Sequence, residues 1–154
     1  MLFRSSIAIG YQTALTTQGQ SATAIGYQAA KTNQGSYATA IGFQTAIQNQ
    51  GNYSTAIGWQ AAATNQGQWA VAIGGGAGTS QKDQTVAIGN FAGSMSQNTG
   101  SVAIGYNAAT SFQAPYALAL GYSAGMNYQG TGSVAIGMAA GLNHIGANSI
   151  AIGS

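Results

Sequence analysis

Residues 23–38 read TAIGYQAAKTNQGSYA, and residues 39–54 read TAIGFQTAIQNQGNYS. The second stretch repeats the first almost letter for letter, and the period of this repeat decides the fold. Aligned on Ala-Ile-Gly (Ala-Leu-Gly at Ala119), coils begin at Ala8, Ala24, Ala40, Ala56, Ala72, Ala87, Ala103, Ala119, Ala135 and Ala151. Every spacing is 16 residues except the one from Ala72 to Ala87, which is 15. A fixed short period marks a solenoid in which each unit touches only its neighbours. Sixteen residues are too few for a helical repeat of about 34. They suffice for one turn of a parallel β-coil with two short strands.

Within a coil the apolar period is two. Counting from Ala as position zero, positions −1, +1 and +3 read Thr39, Ile41, Phe43 in one coil and Val102, Ile104, Tyr106 in another. Positions −2, 0 and +2 are small: Ala38, Ala40, Gly42 and Ser101, Ala103, Gly105. Alternation of β-branched and aromatic residues with small ones predicts a strand. A second short strand is expected over positions +5 to +8, such as Ala29 to Thr32. The TNQG segments at 32–35 and 64–67, with QNQG at 48–51, read as turns in which Gly35, Gly51 and Gly67 take positive φ. Stacked in register, Asn33, Asn49 and Asn65 would form one amide ladder, and Gln34, Gln50 and Gln66 another.

Composition agrees. The 154 residues include four charged ones (Arg4, Lys31, Lys82, Asp83), 3% against roughly 25% in an ordinary domain. Like charges in a stacked row would repel at every step of about 4.8 Å. Three scattered cations make no phosphate-binding patch, so no nucleic-acid partner is expected. There is no cysteine, hence no disulfide or thiolate site. No apolar run approaches the roughly 20 residues of a spanning helix, and no signal-peptide pattern opens the chain, so membrane insertion is not expected. The half-coils LFRSSIAIG and SIAIGS read as cut within a repeat, so residues 1–154 are expected to be one solenoid domain and a segment of a longer fibre.

Chemical motifs mostly dissolve. Gly74, Gly75, Gly76 and Gly78 follow a strand but lack the spacing and helix of a phosphate loop. His144 is the only histidine and Asp83 the only acid, so one chain can build no carboxylate pair, catalytic triad or metal cluster. No enzyme activity, cofactor or metal is expected, although three His144 side chains could meet on an axis in a trimer; a turn residue is the plainer reading. Asn52-Tyr53-Ser54 matches a glycosylation acceptor, a match expected by chance in so Asn-rich a chain. The row Tyr11, Tyr27, Phe43, Trp59, Tyr106, Tyr122 reads as packing before it reads as a sugar-stacking platform. The short coil 72–86 loses its aromatic and holds Lys82 and Asp83. It is either a local irregularity or, with Trp69, a lateral recognition surface. Pro115 falls at a turn.

GSVAIG at 100–105 and 132–137, with NSIAIG at 148–153, resembles the head repeat of trimeric autotransporter adhesins. The AIGYQA…TNQG coils are also similar to fibre and appendage proteins of phages and large DNA viruses. The resemblance implies a left-handed parallel β-roll of about nine coils, a homotrimer, and an extracellular place on a cell or virion surface with a host receptor or glycan as partner. This sequence departs from the family in its longer period and in Thr23, Thr39 and Thr55, where the motif has Val. Both strand faces are non-polar, so one fills the roll and the other needs a cover. The small face is assigned to the interior. The row Ile25, Ile41, Ile57, Ile73, Ile88, Ile104, Leu120, Ile136 then meets its copies about a three-fold axis; the inverse packing stays open. An ice-binding solenoid is the alternative, with Thr16, Thr32 and Thr64 in one row, interrupted by Gln48, Met95 and Asn143.

Overall fold

The computed structural model describes residues 5–154. Ten three-residue strands, from Ile7–Ile9 to Ile150–Ile152, pair in parallel as one continuous sheet in chain order. The register is like on like: Ala24 beside Ala40 and Ala56, Ile25 beside Ile41 and Ile57. It holds across the short coil, where Ala72 faces Ala87. The chain is a parallel β-solenoid of about nine turns, with no helix among the described residues.

The opposite side of each coil is a second, narrower ladder. Thr32–Gln34, Gln48–Gln50 and Thr64–Gln66 form a three-stranded sheet, and Phe112–Gln113 pairs with Tyr128–Gln129. Single bridges Gln66–Gln81, Gln81–Gln97 and Gln97–Gln113 join the two pieces. The TNQG segment is therefore the second strand, at positions +8 to +10, and not the turn expected there. The expected range of +5 to +8 overlaps it only at +8, Thr32; the residues before it form the bend, where Gln28 has φ 55° and Ala30 φ 46°.

The glycines after this strand also play another part. Gly35, Gly51 and Gly67 are absent from the positive-φ residues; Asn33, Asn49 and Asn65 hold φ of 52°, 50° and 44° instead, a conformation asparagine tolerates. A Cβ on Gly35 would lie 2.6 Å from the backbone N of Asn52 and the carbonyl C of Gly51 in the next coil, so glycine is required by close stacking. Gly121 meets both demands, with φ 134° and a virtual Cβ 2.5 Å from the Gly137 carbonyl oxygen.

The small face of the first sheet lines the interior. Ala24, Ala40, Ala56, Ala72, Ala87, Ala103, Ala119 and Ala135 are fully buried, as are Ala29, Ala61, Ala77 and Ala108 from the bend. Between these alanines lies a column of buried glutamines from Gln34 to Gln129. Each reaches across the roll: Gln97 Nε2 donates to the Val86 carbonyl at 2.7 Å, and Gln113 Nε2 to Val102 at 2.7 Å. Along the rod Gln66 donates to Gln81, Gln81 to Gln97, Gln97 to Gln113 and Gln113 to Gln129, at 2.9–3.3 Å. Of the expected ladder of Gln34, Gln50 and Gln66, one rung forms, Gln50 to Gln66 at 3.3 Å, and it lies inside the coil. Nearer the start it is incomplete, since the Oε1 atoms of Gln34 and Gln50 accept no hydrogen bond.

Gln97→Leu would leave the Val86 and Ser101 carbonyls without this donor and break the rungs to Gln81 and Gln113. A loss of about 3 kcal/mol or more in urea unfolding is expected, at 1–3 kcal/mol per buried group left unpaired. The same change at exposed Gln84 should cost about 0.5 kcal/mol or less. Equal effects at the two positions would remove the structural role assigned to the column.

Candidate functional site

With small residues inside, the other face of the first sheet points outward. Ile25, Ile41, Ile88, Ile104 and Ile136 are half-buried, while Ile57, Ile73 and Leu120 are 36%, 36% and 40% exposed. The row is unbroken in register from Ile25 to Ile136. With position −1 beside it and position +3, aromatic except at Gly75, Asn90 and Met138, it makes a strip roughly 34 Å long and 13 Å wide in projection, on the order of 450 Å². That matches the largest apolar patch of a typical monomer, a patch that is often functional. The total accessible area, 7022 Å², is close to the roughly 7,100 Å² typical of a 15.3 kDa globular protein. The unusual feature is the arrangement of the surface, not its amount.

Aromatic rings on the outside stack on one another. Tyr27 lies between Tyr11 and Phe43, with ring centroids 5.4 and 5.1 Å apart. Tyr53 lies between Tyr37 and Trp69 at 5.0 and 4.1 Å, with planes within 5°. Phe112, Tyr128 and His144 form a third column at 5.2 and 4.8 Å. Ring faces within these columns are occupied by neighbouring rings, which supports packing over a broad sugar platform. His144 is thus a member of an aromatic column, stacked on Tyr128. Among the described residues no group of three or more His, Cys, Asp or Glu could hold a metal ion.

Polar columns follow the same rule. Asn33 Nδ2 donates to Asn49 Oδ1 and Asn49 Nδ2 to Asn65 Oδ1, both at 3.0 Å, so the asparagine ladder stands as expected. Sequence reading missed a third amide ladder, Gln60 to Gln44 to Gln28 to Gln12, at 2.8–3.0 Å. Its signal was Gln at +4 in four successive coils. Thr32 and Thr64 spend their hydroxyls on the carbonyls of Ile47 and Thr79, at 3.0 and 2.9 Å. Those two are not a free hydroxyl array for ordering water. In Asn52-Tyr53-Ser54 the serine is buried and donates to the Gly51 carbonyl at 2.7 Å, which removes the hydroxyl a glycosylation acceptor presents.

The missing residue of the short coil falls between Gly78 and Gln81, since Gly78 N still bonds Ala92 O and Gln81 keeps its place in the glutamine column. The alanine core is divided here into two clusters, one ending at Ala72 and one beginning at Ala77. Lys82 takes the position of the stacking glycine. Asp83 Oδ1 accepts from Gln68 N at 2.9 Å, as Asn52 Oδ1 accepts from Ser36 N at 2.8 Å. Lys82 and Asp83, both exposed, border an open notch of about 260 Å³ on the second-sheet side. Trp69 is 56% exposed and does not line it, so the structure brings together two of the three residues expected at a lateral surface.

A parallel β-solenoid with like-on-like columns, an alanine interior and an apolar outer strip defines the class. Residues 18–45, 50–77, 66–92 and 96–124, more than half of the chain, match the YadA head domain repeat (2 copies). The chain belongs to the YadA head family, the head of the trimeric autotransporter adhesins, and is an adhesin-type structural domain. No curated protein and no solved structure matches it. No helix of the described residues is long and apolar enough to cross a membrane.

Tyr27→Ala removes two ring stacks and should lower stability by about 1–3 kcal/mol beyond the lost burial, at 0.5–1.5 kcal/mol per pair. Met138→Ala, in the same column but outside any ring stack, is the comparison. Equal losses in chemical unfolding would show that the rings contribute only area.

Proposed function

We propose that this chain is a non-enzymatic head segment of a surface attachment fibre, on a cell or a virion, working as a homotrimer of left-handed rolls. One observation carries the reading: the interior is already filled by alanine and glutamine, so the register-matched Ile strip has no cover within its own chain. A closed set of identical copies about a three-fold axis covers that strip on every chain at once. Column stacking makes each protomer a surface that repeats from coil to coil, which suits such a seam.

Attachment to a host receptor or glycan follows the adhesin-type family. Weak contacts repeated on three chains add through effective concentration without any single strong site. The ice-binding alternative has less support, because Thr32 and Thr64 use their hydroxyls within the coil. With one acid and one histidine in the sequence, an enzymatic reading has no pair of groups to work with.

Light scattering on a sizing column should give the mass of three chains, unchanged on dilution from micromolar to nanomolar concentration. Ile57→Asp, at the middle of the strip, should yield monomer or unfolded chain, since a buried charge without a partner is strongly disfavoured. Lys31→Asp, off the strip, should leave the mass unaltered. A monomeric wild type, or an Ile57→Asp protein that stays fully associated, would falsify burial of this row.

A further inference from the structure

The geometry points to the notch at the short coil as a binding site for a neutral, hydroxyl-rich sugar ring. This deepens the attachment reading, on which the choice of a surface glycan as the source of that ring rests.

The site lies at the coil that is one residue short, where the asparagine ladder stops. Asn33 donates to Asn49 and Asn49 to Asn65, but the next coil supplies Ser80 where a fourth asparagine would stand. The ladder therefore ends on an amide whose Nδ2 donates to no protein group among the described residues, beside a cavity it helps to line. The amides of Asn33 and Asn49 are instead taken up by the coil above.

The rest of the notch completes the chemistry. Its floor is formed by Gln66 and Gln81, whose amides are committed to the internal ladder and to backbone carbonyls. They are fixed and offer no competing motion. On the rim, Asp83 uses Oδ1 to accept from Gln68 N, and its second oxygen has no protein donor. Lys82 stands next to it and forms no ion pair among the described residues.

An amide donor, an ammonium donor and a carboxylate acceptor on one rim match vicinal hydroxyls, each of which both donates and accepts. The rim's charges cancel, so the site gives a net anion no advantage, and a carboxylate ligand would meet Asp83. At about 260 Å³ the space lies below the roughly 300–1,000 Å³ of sites that enclose drug-sized ligands, and suits a single ring held weakly. The notch lies on the second-sheet side, away from the outward Ile strip, so covering the strip leaves it open. Copies on each chain would present several weak sites together.

The test uses the full chain, isotope-labelled, titrated with methyl glycosides of neutral hexoses and N-acetylhexosamines while amide NMR shifts are followed. Saturable shifts at Gly67, Lys82, Asp83 and the Asn65 side chain are expected, in the millimolar range. Asn65→Asp keeps an acceptor for Asn49 and a residue tolerant of positive φ, but removes the free donor. Asp83→Asn keeps an acceptor for Gln68 N but removes the carboxylate. Each should weaken binding about tenfold, the scale of one charge-assisted or orphaned hydrogen bond. No saturable shift with any neutral glycoside, or binding unchanged in both variants, would overturn the site. Saturation only by glucuronate or N-acetylneuraminate, lost in Lys82→Met, would overturn the ligand class and make the notch an anion site. Adhesion to glycan-bearing cells separates the two readings. Sugar binding in solution without adhesion sinks attachment and keeps the notch. Equal adhesion by wild type and variants, with no sugar shifts in any of them, sinks the notch and keeps attachment.

Discussion

A buried glutamine side chain spanning the coil is the interaction on which the rest of this structure depends. Its amide is buried, and an unpaired buried amide costs about 1–3 kcal/mol, so partners on both sides of the roll stabilise it. One partner is a carbonyl on the opposite strand, as Gln97 finds at Val86; the other is the amide of the next coil, as Gln97 finds at Gln113. The first contact sets the thickness of the roll. The second sets the register of successive coils. Every inward position facing such a column is then restricted to alanine, serine, threonine or glycine, which is what the buried residues are. Ile145 takes the glutamine's place in the coil beginning at Ala135, where it is 5% exposed.

The short coil shows how strict that constraint is. A deletion near Ala72–Ala87 could have shifted every later residue by one place and turned inward side chains outward. It did not, because the loss is absorbed between Gly78 and Gln81, outside the first sheet and ahead of the glutamine. The glutamine column and the first sheet run through without a break. The outer asparagine ladder stops there, and the second sheet is reduced to single bridges. Interior columns are held by two kinds of contact, across and along the roll. Exterior columns are held by one, so they are where the repeat can vary.

The first sheet was legible in the sequence because its signal is local: a period of two, with β-branched and aromatic residues opposite alanine and glycine. Size favoured the alanine and glycine face for the interior but left the inverse packing open, and the burial of Ala24 to Ala135 decides it. The second strand was misplaced for a physical reason. Asn33 sits between Thr32 and Gln34 with φ 52°, so the segment carries turn chemistry while making strand pairs, and composition alone favours the turn. Glutamine likewise reads as a surface residue, and nothing within one coil announces that Gln34 points inward while Asn33 points out. The stacked columns were recoverable, because identity at a fixed period is itself the contact. The notch was only half legible: Lys82 and Asp83 stood out as charges in an uncharged chain, but the open end of the asparagine ladder appears only when coils are placed one above another.

This division of labour between inside and outside bears on how such a rod acquires a function. Along position +9 the column changes from Asn33, Asn49 and Asn65 through Ser80 and Ser96 to Phe112, Tyr128 and His144, while the glutamine one residue later holds its place as far as Gln129. Within a run of like residues the outward groups satisfy one another, amide to amide or ring to ring, and offer little to a ligand. At the end of a run that mutual satisfaction fails, and one residue is left with an unused donor or an uncovered ring face. Asn65 is the polar instance, with Trp69 followed by Gln84 as the aromatic one in the neighbouring column. Binding capacity in a solenoid of this kind is therefore concentrated where the repeat breaks, and a coil that has lost a residue breaks several columns together. The regular coils supply reach, rigidity and the seam between copies; the irregular one supplies a place that can tell one partner from another.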